Sequence, residues 1–295
     1  MKILVTGSTG FVGRNVKEYF LKYTDYEVMA PNSKELDCLD EKRVKEYLLK
    51  HKFNMVLHFA VYGDGIDKTK DGTKLVEYNL RMFLNFAHHS DLYGKMIYTG
   101  SGAEYDKRFS IVKVREEDIG KTIPTDPYGV MKYTVGQLIE QSNNIYNLRL
   151  FGIFGPYEYW KTKFISNICC KAIKGLPLSI RQDCSFDYIW IEDFCRLLLA
   201  FIQLKAPKYH TYNAVSGMPV KLSELAQIVN QISGHSSSVY ICREGMANEY
   251  TASNKRIMTE LNNFQYTNIE QSVKILYDYY KGQEGEIDLY SLIYG

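Results

Sequence analysis

"KILVTGSTGFVGRNV", residues 2–16, joins a short apolar run to an amphipathic one across three glycines, Gly7, Gly10 and Gly13. The run "KILVT" is rich in strand-forming residues and has no polar alternation, as a strand buried on both faces requires. From Phe11 to Leu21 the apolar residues Phe11, Val12, Val16, Tyr19 and Phe20 recur at helical spacing. A strand, a G-x-x-G-x-x-G turn and a helix form a turn that can hold a dinucleotide. In this reading Gly7 permits a tight bend, Gly10 lets the backbone approach a pyrophosphate, and Gly13 lets the helix lie close to the strand. The helix N-terminus then offers unpaired N–H groups and a partial positive charge to the phosphates.

Outward from this turn the same rhythm continues. "YEVMAP", "NMVLHFA", "KMIYTGS" and the glycine-broken "YNLRLFGIFGP" read as strands. Between them, "DEKRVKEYLLKH" (Asp40 as N-cap), "GTKLVEYNLRMFLNFAHHS" and "DPYGVMKYTVGQLIEQS" read as helices. The alternation predicts an α/β fold, a Rossmann-type doubly wound parallel sheet with helices on both faces. After Pro156 the pattern loosens. "FISNICCKAIKG", "EDFCRLLLAFIQL", "KLSELAQIVNQIS" and "NIEQSVKILYDYYKGQ" read as helices, "FDYIWI" and "TYNAV" as strands, and 234–268 as polar and irregular. The expected division is a dinucleotide-binding domain over 1–160, with contributions from about 186–215, and a small C-terminal substrate lobe over 161–295.

The chain has 295 residues and a net charge of +2 from 36 basic and 34 acidic side chains. Like charges form no block, so neither nucleic acid nor a membrane surface is an expected partner. No apolar stretch approaches the roughly 18–20 residues that cross a bilayer. Six cysteines, with no C-x-x-C pair and no zinc-ligand spacing, fit free thiols in a reducing cytoplasm and no metal site. His58, at a strand end, reads as packed, and adjacent His88 and His89 do not share a helix face.

The glycine spacing resembles the fingerprint of the short-chain dehydrogenase/reductase superfamily in its extended branch, the nucleotide-sugar epimerases, dehydratases and 4-keto reductases. That family carries Tyr-x-x-x-Lys on a helix, and "PYGVMKY" supplies Tyr128 and Lys132 on one helix face. A phenol with an ordinary pKa of about 10 is a poor acid near neutrality, and a lysine cation beside it favours the phenolate. Tyr128 then exchanges a proton with a sugar oxygen while a nicotinamide exchanges hydride. "MIYTGSGAEYD" resembles the segment that carries the catalytic Ser or Thr, which places Ser101 beside Tyr128, with Thr99 next in line. "VLHFAVYG", "EYNLRMFLNF", "LRLFGIFGP" and "FDYIWIEDFCRLL" resemble further family segments in order. The resemblance implies Gly7, Thr9, Gly10, Phe11, Val12, Gly13, Phe59, Ala60, Val61, Asn79, Thr99, Tyr128, Lys132, Phe151 and Ile153 as cofactor-binding residues. On the substrate side it implies Ser101, Gly102, Lys163, Asn167 and Arg181, the last three facing a nucleotide diphosphate. It also implies a homodimer through helices at 71–90 and 125–141.

Departures from the family pattern narrow the chemistry. An NAD site places a carboxylate at the end of the second strand, whereas this chain has Asn32, Ser33 and Lys34 after Pro31, which favours NADP(H), with NAD as the alternative. Gly102 and Ala103 stand where dehydratases carry Asp-Glu, so loss of water is not expected. The GDP-fucose synthase branch, which "APNSKELDCLD" resembles, uses a Cys and a His for epimerisation, and Ala103 and "GPYEYWKTKF" supply neither. Gly152, Phe186 and Trp190 replace the family's Asn, Arg and His. The expected function is NADP(H)-dependent reduction of a nucleotide-linked 4-keto-sugar. The alternatives are a nucleotide-sugar 4-epimerase with tightly held NAD and, in another class, a non-catalytic NADP-binding regulator.

Overall fold

The computed structural model describes residues 1–63, 71–234 and 236–294. The chain begins β1 (Lys2–Thr6), α1 (Phe11–Tyr23), β2 (Glu27–Met29), α2 (Glu41–His51), β3 (Met55–His58), α3 (Leu75–Ala87) and β4 (Lys95–Ser101). It continues β5 (Ile111–Val114), α4 (Pro127–Glu140), β6 (Ile145–Leu150), β7 (Gly152–Phe154), α5 (Phe164–Ile173), β8 (Leu178–Asp183), β9 (Ser185–Phe186), β10 (Tyr188–Trp190) and α6 (Ile191–Ile202). The last part holds β11 (Thr211–Asn213), β12 (Val220–Lys221), α7 (Leu222–Ser233), β13 (Val239–Met246), β14 (Tyr250–Ala252), α8 (Lys255–Glu260), α9 (Ile269–Lys281) and α10 (Leu289–Tyr294).

Six strands form one parallel sheet in the order β11-β6-β4-β3-β1-β2. Because side chains alternate across a strand, the sheet feeds two cores. Ile3, Val5, Leu57 and Ile97 pack on one face with Val16 and Phe20 of α1 and Phe194 and Leu197 of α6. Leu4, Val56 and Met96 pack on the other with Leu48 of α2, Phe83 of α3 and Val135 of α4. The chain leaves β1 for β2 on one side and returns to β3 on the other. This reversal is a switch point, and ligands bind at the carboxyl ends of strands there. No helix among the described residues is long and apolar enough to cross a membrane.

Two expected strands are divided. The glycine-broken strand ends at Leu150, and β7 then leaves the main sheet to pair with β10. "FDYIWI" splits at Asp187, whose buried carboxylate accepts from the Ser216 hydroxyl at 2.7 Å and from the Gly217 N–H. The largest difference lies in 234–268, which is not irregular. It carries β13, paired with β8, and β14, paired with both β5 and β9. With α5, α7 and α9 these strands build a lobe over the sheet's carboxyl edge. All six cysteines are free, and only Cys242 is exposed.

Candidate active site

A cleft of about 710 Å³ opens above the carboxyl ends of β1, β3 and β4, between the sheet and the lobe. Its floor is the glycine turn. Gly7 has a φ of +65°, and a Cβ there would lie 2.6 Å from the backbone of Phe59 and Ala60 at the end of β3. A Cβ on Gly13 would collide with the Gly7 carbonyl oxygen. Thr6 locks the same junction: its hydroxyl accepts from the Phe59 and Ala60 N–H groups at 3.2 Å each. The hydroxyl's own proton is thereby left for His58 Nδ1, 3.1 Å away. His58 is packed, and burial, with Lys132 nearby, pushes its pKa down to about 3.

The helix above this turn is ready for an anion. No side chain caps α1 at Gly10, and its first turn has no acidic residue. Its leading N–H groups therefore lack helical acceptors, and Gly10, Phe11, Val12 and Gly13 line the cleft. These residues fit the pyrophosphate of a dinucleotide: Gly10 lines the cleft without a side chain, and the leading N–H groups of α1 have no helical acceptors.

Tyr128 and Lys132 enter from α4. Asp126 accepts from the Gly129 N–H at 2.9 Å and Pro127 occupies the first turn, so "DPYG" sets where this helix starts. Lys132 Nζ donates to Tyr98 Oη at 2.8 Å and to the Thr99 carbonyl at 2.7 Å, and lies 5.8 Å from the Tyr128 ring centroid. Burial pushes the Lys132 pKa down to about 8, against the pull of Glu104. Burial, with Tyr128 and Glu104 nearby, holds the Tyr98 phenol well above its ordinary range, so it stays protonated.

Ser101 ends β4 and lines the cleft with Tyr128. Beneath it lies a buried polar knot. Glu104 accepts from the Ser101 N–H at 3.1 Å, from Asn147 Nδ2 at 3.0 Å and from Arg149 Nε at 2.6 Å. Burial alone would lower the Arg149 pKa, but the Glu104 carboxylate and Tyr105 phenol reverse this and hold the guanidinium charged. The knot ties the end of β4 to β6.

Gly7, Gly10, Phe11, Val12, Gly13, Phe59, Ala60, Val61, Thr99, Phe151 and Ile153 line this cleft with Ser101, Tyr128, Lys132 and Lys163. Other expected residues stand elsewhere. Thr9 is exposed in the turn. Asn79 clamps a loop, accepting from the Tyr62 N–H and donating to the Tyr62 and Leu75 carbonyls. Gly102 is buried beneath Phe151 and Tyr250. Asn167 donates to the Lys161 carbonyl, and Arg181 is exposed on β8; neither lines the cleft. Asn32, Ser33 and Lys34 form an exposed turn after β2, in which Asn32 Oδ1 accepts from the Lys34 N–H and the Glu35 carboxylate accepts from the Asn32 N–H.

Several groups at the site carry no motif. Phe109, Ile111, Phe186 and Tyr250 line the cleft from the lobe side. Glu158 also lines it, accepts from the Ser166 hydroxyl at 2.5 Å, and has its pKa pushed up to about 8 by burial. For Glu104 there is a readable signal, the charge in "YNLRLF": Arg149 inside an otherwise buried strand needs a buried partner.

The profile of the NAD dependent epimerase/dehydratase family matches residues 3–214. GDP-L-colitose synthase of Yersinia pseudotuberculosis is 23% identical over 256 residues, which cover 80% of this chain and 83% of that one. A GDP-L-fucose synthetase from Naegleria fowleri bound to NADP superposes with a TM-score of 0.83 at 18% identity, over 96% of this chain and 93% of that one. The UDP-glucose 4-epimerase with UDP-glucose from Thermotoga maritima superposes with a TM-score of 0.81 at 19% identity, over 96% of this chain and 99% of that one.

Proposed function

We propose, from the premise that this chain belongs to the NAD dependent epimerase/dehydratase family and is an NAD(P)-dependent oxidoreductase or epimerase, that it reduces a nucleotide-linked 4-keto-sugar with NADP(H). The observation that carries this reading is the convergence of Ser101, Tyr128 and Lys132 on one cleft whose floor is the glycine turn. The bound nicotinamide supplies the hydride. Ser101 holds the sugar oxygen by hydrogen bonding, and Tyr128 delivers the proton to it. Lys132, largely cationic at neutral pH, favours the phenolate left behind. Two of its three ammonium protons are committed to Tyr98 and Thr99, which leaves one for the cleft. Gly102 and Ala103 have no titratable side chain, and this argues against dehydration.

The preference for NADP(H) rests on Ser33 and Lys34, both exposed at the end of β2. One observation favours a second reading, a 4-epimerase that retains NAD: the Glu35 carboxylate folds back on the Asn32 N–H of that turn at 2.8 Å. A carboxylate there repels a 2′-phosphate. The experiment that separates the two is a screen of purified protein against nucleotide 4-keto-sugars with NADPH and NADH, followed at the nicotinamide absorbance. Turnover with exchangeable NADPH supports the reductase. Tightly held NAD and interconversion of 4-epimers without net oxidation support the epimerase. Binding of NADP without either activity supports a regulator. The homodimer through α3 and α4 is likewise a proposal, tested by light scattering of the purified protein.

A further inference from the structure

The loop between β4 and β5 holds one side chain back and presents its two neighbours. Asp106, whose side chain is 1% exposed, accepts from Arg108 Nε at 2.9 Å, from Arg108 Nη2 at 2.6 Å and from the Arg108 N–H at 3.1 Å. Arg108 also donates to the Ile123 carbonyl. From the lobe, Asn248 Nδ2 donates to the Lys107 and Arg108 carbonyls at 3.3 and 3.2 Å, which fixes the same turn in place. With Arg108 committed, Lys107 and Phe109 on either side of it line the cleft that Ser101 and Tyr128 share. Neither is used up by the fold. Phe109 is 57% exposed, and the one ring contact it makes among the described residues is with Arg108, 5.8 Å from the centroid.

Lys107 has a partner that it does not reach. Its Nζ lies 3.8 Å from the Asp126 carboxylate, too far for a hydrogen bond, and both side chains are 45% exposed. Asp126 lines the same cleft, two residues ahead of Tyr128. An ammonium only donates and a carboxylate only accepts, whereas a hydroxyl does both. One hydroxyl set between the two therefore completes the pair. The ring of Phe109 adds an apolar face whose negative π-cloud suits the C–H bonds of a pyranose. We propose that Phe109, Lys107 and Asp126 form a sugar-recognition subsite, in which one face of the pyranose lies on Phe109 and a hydroxyl away from the reacting carbon bridges Lys107 and Asp126. The ligand class is a nucleotide sugar that keeps a hydroxyl at that ring position. A sugar deoxygenated there is rejected, because it leaves both charged groups without their bridge. This inference rests on the reading that places the sugar beside Tyr128.

The test is calorimetric titration of the purified protein with two probe pairs, GDP with GDP-mannose and UDP with UDP-glucose. Within a pair, the ratio of dissociation constants isolates the sugar. In at least one pair the sugar nucleotide should bind about tenfold or more tightly than its nucleoside diphosphate, the size expected for one hydroxyl bonded to charged groups. Lys107→Met, Phe109→Ala and Asp126→Asn should each cut that ratio by about threefold to tenfold. Affinity for the diphosphate alone and for NADPH should stay within about twofold. Asparagine keeps the cap of α4, so this variant changes the charge and leaves the helix start intact. A wild-type ratio near one in both pairs, or variant ratios equal to the wild type, overturns the subsite. So does an equal loss for the sugar nucleotide and its diphosphate, which marks a general effect on charge or folding. None of these titrations needs turnover. The 4-keto-sugar reading can therefore fail in the reductase screen while the ratios still decide the subsite.

Discussion

The two walls of the cleft are held by different forces. On the sheet side Thr6, Lys132 and Glu104 are each tied to other polar atoms: Thr6 to β3, Lys132 to Tyr98 and Thr99, and Glu104 to Arg149 and the Ser101 N–H. On the lobe side Phe109, Ile111, Phe186 and Tyr250 supply an apolar surface, with Lys107, Asn248 and Glu249 beside it. A wall of paired polar groups fixes positions to a fraction of an ångström, as proton transfer requires. A wall of rings supplies contact area and tolerates changes of shape, as selection among substrates requires. On the proposed function, the sheet side would set the reaction and the lobe side the substrate, and Tyr250 of the lobe lines the cleft beside Ser101.

The first way to break this contrast is Tyr128→Phe, with the largest expected effect. Removal of the proposed proton donor should lower kcat by about 10²–10⁴-fold with cofactor affinity preserved, read in steady-state kinetics and a binding titration. A kcat within tenfold of wild type would move the acid to another group and empty the sheet wall of its assigned role. Next comes stability. Arg149→Met leaves Glu104 buried without its cation, and this should cost about 3–5 kcal/mol in urea unfolding. By contrast, Phe186→Leu on the lobe side keeps an apolar ring site filled. It should raise KM for the sugar nucleotide by roughly twofold to tenfold, the worth of one aromatic contact, and leave kcat near wild type.

The same difference explains what could be read from the sequence. β1, β3 and β4 are buried and apolar, and each lies between helices, so composition alone marks them. The glycine turn and Tyr-x-x-x-Lys are local, so spacing suffices for them. The lobe wall is neither. β13 is exposed along nearly its whole length and has no buried face to leave a period-2 pattern. β14 has three residues, and its pairing of Tyr250 with Ile111 spans a separation that no local pattern encodes. Tyr250 was one tyrosine among 25, and Glu104 one acid in an apparent turn. Only their partners give them meaning, and those partners come from distant segments.

Proton linkage sharpens the comparison further, because Lys132 is a charge buried in the sheet wall. Its folded pKa is about 8, against an ordinary 10.5. Between these values the unfolded chain holds a proton that the folded chain has released. Stability should therefore rise with pH across that window, and the cost of burying the cation is fully present below about pH 8. Lys132→Met removes the contribution. Urea unfolding of both proteins from pH 7 to 10 should show the wild type gaining stability relative to the variant as pH rises above about 8. A constant difference would mean that the lysine titrates at its ordinary value and is not embedded.

The smallest expected effect lies at the outer edge of the sheet wall, where Lys34 and Glu35 are exposed and water screens their charges. Exposed charges contribute about 0.2–1 kcal/mol each, so cofactor choice here should shift by only about twofold to fivefold per residue. Lys34→Ala should weaken NADPH relative to NADH, and Glu35→Gln should strengthen it, both measured by competition titration. The two shifts should shrink together as salt is raised, because screening acts on both. If either change moved the preference a hundredfold, the turn after β2 would close over the nucleotide on binding and bury these charges. The edge would then belong with the paired interior of the wall.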